Sequence, residues 1–224
     1  MRLGRDFFTR PTLKVAKELL GKIIVRKYKG KIIAGKIVET EAYIGPKDKA
    51  SHAYAYKNQN DKEKLKIIKE NWERIKNYLE NPQRFIKTIL KLKNAKVTKR
   101  NLAEYLRGGH IYIYLVYGIY FQLNITTYKE GYPECVLIRA LEPLNKDFKI
   151  KPNGPGKLCE FLKLNSSFWG YDLVEGNEIW LENGENYKEN DIIKTTRIGI
   201  DYAGDDALLP WRFYIKTSKW ISKK

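Results

Sequence analysis

The residues most able to carry chemistry are two glutamates and a tyrosine in one short run. Residues 35–45 read GKIVETEAYIG, a composition typical of an extended strand. Side chains alternate between the two faces of a strand, so Glu39, Glu41 and Tyr43 are predicted to share a face with Ile37. Two carboxylates on one face repel each other unless cations or water surround them. An exposed, solvated sheet face explains the pattern, and a paired carboxylate site explains it too.

A cationic partner for these carboxylates is available on another predicted strand. Arg139 interrupts the apolar run at residues 136–141, VLIRAL. A buried arginine needs an anion, either a carboxylate or a phosphate. A carboxylate beside an arginine stays ionised at neutral pH and can polarise a water molecule. Arg139 therefore favours a paired site in which a glutamate acts on water, while the solvated face stays open as the alternative.

A tyrosine-rich run follows at residues 110–124, HIYIYLVYGIYFQLN. Gly118 supplies the permissive backbone of a hairpin turn over residues 116–119. Alternation then places Tyr112 and Tyr114 on one face and leaves Tyr117 at the turn. Packing across the strands is the common role of a single tyrosine. Several tyrosines beside a basic surface also suit stacking on nucleic-acid bases, and an apolar tip can enter between base steps.

Three weaker signals accompany these two. Asn124 lies in an apolar strand, where an amide is either a satisfied core group or one that reads a ligand edge. His52 stands in a loop after the glutamate strand. The run from Asn153 to Lys157, NGPGK, offers backbone amides to a phosphate, but it lacks the Ser or Thr and the glycine spacing of a nucleotide P-loop. The histidine and cysteine spacings of zinc proteases and zinc deaminases do not occur.

The overall composition narrows the classes of partner. The 224 residues include 43 Lys or Arg against 26 Asp or Glu, a net charge of +17. Such a charge favours a polyanion, either nucleic acid or an anionic membrane surface. No run reaches the roughly 20 apolar residues of a membrane helix, and the first residues lack the apolar block of a secretory signal. We therefore expect an intracellular protein, in the cytoplasm or nucleoid, with Cys135 and Cys159 as reduced core residues.

The elements that must position these residues mix strands and helices without regular alternation. Pro11 and Gly21 delimit a short predicted helix, and a hairpin turns at Lys29 and Gly30 between strands 22–26 and 31–43. Further strands are predicted at 110–125, 135–142, 195–200 and 211–216, and a further helix at 157–164. This pattern predicts one α+β domain over residues 1–224, with a curved, largely antiparallel sheet, surrounding helices and a protruding tyrosine-rich hairpin.

Residues 57–100 differ from the rest of the chain. They contain no glycine and one proline, and their apolar residues recur at three- and four-residue spacing. This spacing predicts an amphipathic helix through Leu79 and a second from Pro82, packed as an antiparallel pair. The segment holds 14 Lys or Arg against 5 Asp or Glu, a net +9 of the chain's +17. A solvated helix face explains any single lysine, and an arm that follows phosphate groups explains the set equally well.

Six blocks of the sequence resemble, in order, the alkyladenine DNA glycosylase family (3-methyladenine DNA glycosylase, mammalian type). They are LGKIIVRK, GKIVETEAYIGPKDKASHAY, RGGHIYIYLVYGIYFQLNITT, VLIRALEPL, NGPGKLC and PWRFYIKTSKWIS. The likeness covers nearly the whole chain, and the combination of ETEAY, the tyrosine ribbon and LIRALEP is specific. Most of residues 57–97 has no counterpart in the family pattern, so this segment is predicted as a basic helical-hairpin insertion.

The resemblance implies a monofunctional glycosylase that flips an alkylated purine out of duplex DNA. An activated water then displaces the base at the sugar C1′ and leaves an abasic site. Carried over by position, Glu41 would be the general base, with Arg139 and the backbone carbonyl of Ile198 holding the water. Tyr117 would fill the gap left by the flipped nucleotide.

The resemblance also implies which residues bind the base and the DNA backbone. Tyr43, His52 and Tyr114 would form the pocket that sandwiches the base, with His52 acting partly through its backbone amide. Asn124 would discriminate against the exocyclic amine of guanine. Contacts to the DNA backbone are expected from four residues: Arg100, Asn101, Gly154 and Lys157.

We therefore expect a monomeric enzyme that needs no metal or other cofactor. Its partner would be double-stranded DNA containing damaged purines of the 3-methyladenine type, with hypoxanthine and ethenoadenine as further candidates. The rival function is a non-catalytic nucleic-acid binder that uses the same basic surface and tyrosines. A lyase that forms a Schiff base with the sugar is a second rival.

Overall fold

The computed structural model describes residues 1–145 and 148–223. The helices of this part are α1 (Arg5–Phe8), α2 (Thr12–Glu18), α3 (Asp61–Glu70), α4 (Trp72–Ile75), α5 (Pro82–Lys91) and α6 (Pro155–Phe161). The strands are β1 (Ile23–Tyr28), β2 (Lys31–Tyr43), β3 (Ile111–Val116), β4 (Tyr120–Thr126), β5 (Cys135–Pro143), β6 (Ile179–Glu182), β7 (Ile192–Thr195) and β8 (Arg212–Ile215).

All eight strands belong to one curled sheet with antiparallel pairing. The main path runs β3-β4-β5-β2-β1-β6, and β8 pairs with both β2 and β7. The predicted α+β domain with a largely antiparallel sheet is confirmed. Cys135 and Cys159 are buried and free, as predicted.

Strand β2 is the longest, and its pairing changes along its length. It pairs with β5 over residues 35–43, while residues 31–36 border β1 and residues 39–41 border β8. The β2–β5 register shifts on either side of Glu39, which leaves Val38 and Arg139 without a pairing partner. Bulges of this kind redirect side chains. The bulge on β5 therefore sets the direction of the Arg139 side chain towards β2.

Two hairpins turn on residues with positive φ. The β1–β2 turn has Lys29 at φ 47° and Gly30 at φ 75°, and the β3–β4 turn has Tyr117 at φ 53° and Gly118 at φ 70°. Consecutive left-handed residues match the twist of the flanking strands, as in a type I′ turn. Both turns lie where the sequence places them.

The basic segment is built from three helices rather than two. The predicted first helix through Leu79 is wrong in length, because α3 ends at Glu70 and Asn71 leaves helical geometry at φ −114°, ψ 14°. The Asn71 side chain donates to the carbonyl of Ile67 at 2.8 Å, so it competes with helix continuation. Helix α5 begins at Pro82, as predicted, behind the Asn81 cap.

These helices bury apolar residues in the main core. Ile68, Ile75, Phe85 and Ile89 are all at most 1% exposed and belong to the same cluster as the sheet residues. Lys64, in the first turn of α3, donates to the carbonyl of Leu92 just after α5. The segment is therefore part of the packed domain, and all its charged side chains except buried Lys64 are exposed.

Candidate active site

Glu41 lies fully buried at the centre of a hydrogen-bonded cluster, so the solvated-face interpretation of the glutamate strand is wrong. Its Oε2 lies 3.2 Å from Arg139 Nη1 and accepts a hydrogen bond from the Tyr43 hydroxyl at 2.9 Å. Its Oε1 accepts from the Ile198 amide at 2.8 Å. The structure thus brings Glu41, Arg139, Tyr43 and Ile198 together. A buried carboxylate needs such partners, since an unpaired buried charge is costly.

Glu39, also fully buried, holds the arginines of this cluster in place. It lies 3.3 Å from Arg139 Nε and 2.8 Å from Arg212 Nη1, and it accepts from the Ser222 hydroxyl at 2.9 Å. Arg139 is thereby bound on both sides, through Nε to Glu39 and through Nη1 to Glu41. The two glutamates share one arginine, which offsets their mutual repulsion.

The segment after β7 reaches the cluster through an ion pair. Arg197 and Asp48 are both buried, with Arg197 Nη2 2.8 Å from Asp48 Oδ1. Arg197 also donates to the carbonyl of Ala42 at 3.0 Å. The predicted strand over 195–200 is wrong: β7 ends at Thr195, because these bonds draw the chain away from the sheet. The same bonds bring the Ile198 amide to Glu41.

A cavity of about 300 Å³ opens beside this cluster. It lies between the β3–β4 hairpin and the loop 196–200. Arg139 and Ile198, the partners of Glu41, form part of its wall. Aromatic and polar side chains form most of the remainder, among them Tyr43, His52, Glu104, Tyr112, Tyr114, Tyr117, Asn124 and Tyr202. Its volume suits a small planar ligand such as a purine base.

One wall of the cavity is a cluster of three aromatic rings. The His52 ring meets the Tyr114 ring edge-on, with centroids 4.7 Å apart, and the Tyr112 ring is tilted by 40° to Tyr114 at 5.1 Å. The centroids of the His52 and Tyr112 rings are 6.2 Å apart. His52 Nδ1 is 2.7 Å from the Tyr112 hydroxyl. Desolvation and the charges of Arg100 and Lys96 lower the pKa of His52 to about 4. At neutral pH the wall is therefore uncharged.

Another part of the cavity lining is polar and buried. Asn124 is 2% exposed, and its Oδ1 lies 3.8 Å from the Cys135 thiol. Glu104, which sequence reasoning missed, is 1% exposed and lies 3.4 Å from the same thiol. One sequence signal could have pointed to it: an acid within the otherwise uncharged run Leu102-Ala-Glu-Tyr105.

Tyr117 stands at the mouth of the cavity in an unusual state for a tyrosine. It is 91% exposed and has a left-handed backbone at φ 53°. Neither packing nor backbone preference explains a bulky side chain in this position. Its neighbour Ile119 is 70% exposed. The hairpin tip therefore presents apolar surface beside the cavity.

The four residues expected to contact the DNA backbone differ in their surroundings. Arg100 and Lys157 are exposed, and Arg100 lies 6.0 Å from the Tyr114 ring. Gly154 precedes α6. Asn101 is 1% exposed, and its side-chain amide donates to the carbonyls of His52 at 3.1 Å and Lys96 at 2.8 Å. That amide is therefore occupied in holding the His52 loop.

Within residues 1–145 and 148–223, no group of three or more His, Cys, Asp or Glu side chains is placed to hold a metal ion. The same part of the chain contains no helix long and apolar enough to cross a membrane.

Comparison with known proteins gives one consistent result. The family model for methylpurine-DNA glycosylase matches residues 6–66 and 91–219. Among similar chains, one from Methanocella arvoryzae is 38% identical over 234 residues, covering 99% of this chain and 96% of its own length. Another from Clostridium perfringens is 38% identical over 244 residues, and the alignment covers 100% of both chains. Both carry the name "Putative 3-methyladenine DNA glycosylase".

The family match spans every element that forms the cavity, including the glutamate strand, the tyrosine hairpin and the loop 196–200. Residues 67–90, which include most of the basic helical segment, lie outside it. The chain belongs to the methylpurine-DNA glycosylase family.

Proposed function

We propose that the protein is a monofunctional DNA glycosylase of DNA repair that hydrolyses the N-glycosidic bond of alkylated purines, those of the 3-methyladenine type foremost. The observation that carries the proposal is the fully buried Glu41, bound to Arg139 and the Ile198 amide beside an aromatic cavity. Family membership supplies the reaction class and damaged DNA as the substrate.

In the proposed reaction Glu41 takes a proton from a water molecule as the water oxygen bonds to C1′ of the sugar. The N-glycosidic bond breaks, and its electron pair leaves with the purine. An alkylated purine carries positive charge and becomes neutral on departure, so it is a good leaving group. Arg139 and the Ile198 amide fix the carboxylate orientation, and a carboxylate oxygen with one partner can still accept from water.

The reaction also requires an extruded nucleotide. The proposed role of Tyr43, His52 and Tyr114, which all line the cavity, is to sandwich the flipped base, since a cationic purine is attracted to electron-rich rings. Tyr117 would enter the base stack and occupy the gap. Arg100, which lies 6.0 Å from the Tyr114 ring, and Lys157 are both exposed, which suits contacts to DNA phosphates.

Replacing Glu41 with Gln tests the mechanism against the rival of a non-catalytic binder. The amide keeps the shape but cannot accept the proton, so the single-turnover rate of abasic-site formation should fall by about 10²- to 10⁴-fold. DNA affinity should stay within about twofold. Glu142→Gln is a matched control, because this partly exposed glutamate on β5 forms an ion pair with Lys36 and lies outside the cavity lining. Undiminished cleavage by Glu41→Gln would overturn the mechanism.

Borohydride separates hydrolysis from a lyase reaction. A lyase holds the sugar as a Schiff base, which borohydride reduces to a permanent protein–DNA link. Hydrolysis by water leaves no such link, so no trapped complex is expected from duplexes carrying 3-methyladenine, hypoxanthine or ethenoadenine. The same panel ranks these three bases as substrates.

A further inference from the structure

Glu104 occupies a position that the proposed reaction does not use. It lies in the 3₁₀ segment Asn101–Tyr105 and lines the cavity. Unlike Glu41, it has no arginine beside it among the described residues. The Cys135 thiol, 3.4 Å from Glu104 Oε1 and 3.8 Å from Asn124 Oδ1, connects Glu104 to the asparagine expected to read the base.

The Glu104 carboxyl group is poorly satisfied by the protein. Its Oε1 has the Ser51 hydroxyl at 3.4 Å and the thiol as weak donors, and its Oε2 has no hydrogen-bond partner. Among the described residues, no lysine, arginine or histidine nitrogen lies within ion-pair distance of it. A buried polar group left without a partner costs stability. Such a group on a cavity wall is one that a ligand would complete.

We propose that Glu104 is a specificity-determining residue that presents an uncharged carboxyl group to the polar edge of the extruded purine, where a ring-nitrogen acceptor adjoins an amino donor. This inference rests on the proposed function and assigns to Glu104 a part in distinguishing an adenine edge from a guanine edge.

The surroundings of Glu104 favour the uncharged form. Burial raises the pKa of its carboxyl group to about 8, against a smaller lowering by hydrogen bonds from Cys135 and Ser51. The ionisable groups that face it come from three elements and are acidic or neutral: Asp48 on the loop after β2, Glu134 and Cys135 at the start of β5, and Tyr112 and Tyr114 on β3.

The protonation state decides which base edge fits. An uncharged carboxyl group has one O–H donor and one carbonyl acceptor, whereas a carboxylate only accepts. The N1 and N6 positions of adenine form an acceptor beside a donor and so match the uncharged form. The N1 and N2 positions of guanine form two adjacent donors and match the carboxylate. Raising the pH through the pKa of Glu104 should therefore weaken the preference for adenine.

The test uses the full-length protein and duplex DNA treated with a methylating agent. Release of 3-methyladenine and 7-methylguanine is measured in the same reaction at pH 6.5 to 9, with release in the absence of protein subtracted. A ratio from one reaction cancels differences in DNA binding and in folded fraction. In the wild type the ratio of 3-methyladenine to 7-methylguanine should fall severalfold, with a midpoint near pH 8.

Two variants separate recognition from a structural role. Glu104→Gln keeps a donor and an acceptor but cannot ionise. Its ratio of 3-methyladenine to 7-methylguanine should stay within about threefold of the wild type at pH 7. The additional decrease that ionisation of Glu104 causes in the wild type as the pH rises should be absent. Glu104→Met removes both groups and should lower the ratio by about tenfold at pH 7, the contribution of about one hydrogen bond. Titration of the 7-methylguanine ring also changes the ratio, so the part due to Glu104 is the difference between the pH profiles of the wild type and Glu104→Gln, which both offer a donor and an acceptor at low pH.

The outcomes are distinct. A wild type that releases both bases with the same pH profile as Glu104→Gln overturns the role of Glu104 and leaves the proposed function intact. A wild type that releases neither base overturns the proposed function and this inference with it. If Glu104→Met does not fold, the wild-type and Glu104→Gln profiles still decide.

Discussion

Buried acids occur in two places near the cavity, and their neighbours differ in charge. Behind the cavity wall Glu39 and Glu41 share Arg139, and Arg212 adds a second guanidinium. Glu104, which lines the cavity itself, faces a thiol, a hydroxyl and further acids. Residue type and burial are the same in both places. The neighbouring cations therefore determine which glutamate is held as an ion pair and which is held as an uncharged acid.

The sharpest test of this contrast removes Glu39. Glu39→Ala leaves Arg139 and Arg212 buried with one carboxylate fewer, and breaking a buried ion pair from one side costs about 3–5 kcal/mol. We expect the free energy of unfolding, measured with urea, to fall by that amount. Glu142→Ala, which breaks a partly exposed pair with Lys36, should cost less than about 1 kcal/mol. Equal losses in the two variants would contradict the contrast.

Glu104, unlike Glu39, should stabilise the folded protein in its uncharged form, so its contribution to the free energy of unfolding should depend on pH. Its pKa is raised to about 8 in the folded state, so between about pH 5 and pH 8 the folded protein holds a proton that the unfolded chain has lost. The contribution of Glu104 to stability is therefore present at low pH and lost as the pH rises. Relative to Glu104→Gln, the free energy of unfolding of the wild type should fall by about 1 kcal/mol per pH unit in this window.

Comparison with the Gln variant is needed because the histidines titrate in the opposite sense. Burial lowers the pKa of His110 to about 4, so its contribution to stability is lost as the pH falls through the range from about 6.5 to 4. His52 behaves alike. Both are common to wild type and variant and cancel in the difference. A difference that does not change between pH 5 and 8 would indicate that Glu104 is not protonated in the folded protein.

The sequence predicted some residues of the two acidic sites and not others. Glu41 and Arg139 each interrupt an expected strand pattern, so residue type and alternation alone identify them as candidate site residues. Arg212 carries no such signal: it reaches Glu39 only because β8 pairs with residues 39–41 of β2. The bulge at Arg139 is likewise a property of two strands together and cannot be read from either one.

Local patterns failed where tertiary contacts outweighed them. Residues 195–200 read as a strand, but the Arg197–Asp48 ion pair draws them into the site. The long helix expected through Leu79 ends at Glu70, where Asn71 bonds to its own helix. Sequence reasoning missed Glu104 because the residue is distinguished by the lack of a cation near its carboxyl group. A sequence does not show which groups lie near one another in the fold.

Tyr117 is expected to give the smallest effect. It stands at the mouth of the cavity and should assist extrusion of either damaged base equally. Tyr117→Ala should slow single-turnover release of 3-methyladenine and 7-methylguanine alike, by the loss of about 1–3 kcal/mol of stacking. General affinity for undamaged duplex should change less, and Tyr117→Phe should behave as the wild type. The ratio of the two released bases should stay constant, since extrusion of the nucleotide precedes recognition of its base in the cavity. A changed ratio would place Tyr117 in base recognition, and equal losses in release and in general affinity would contradict its role in the base stack.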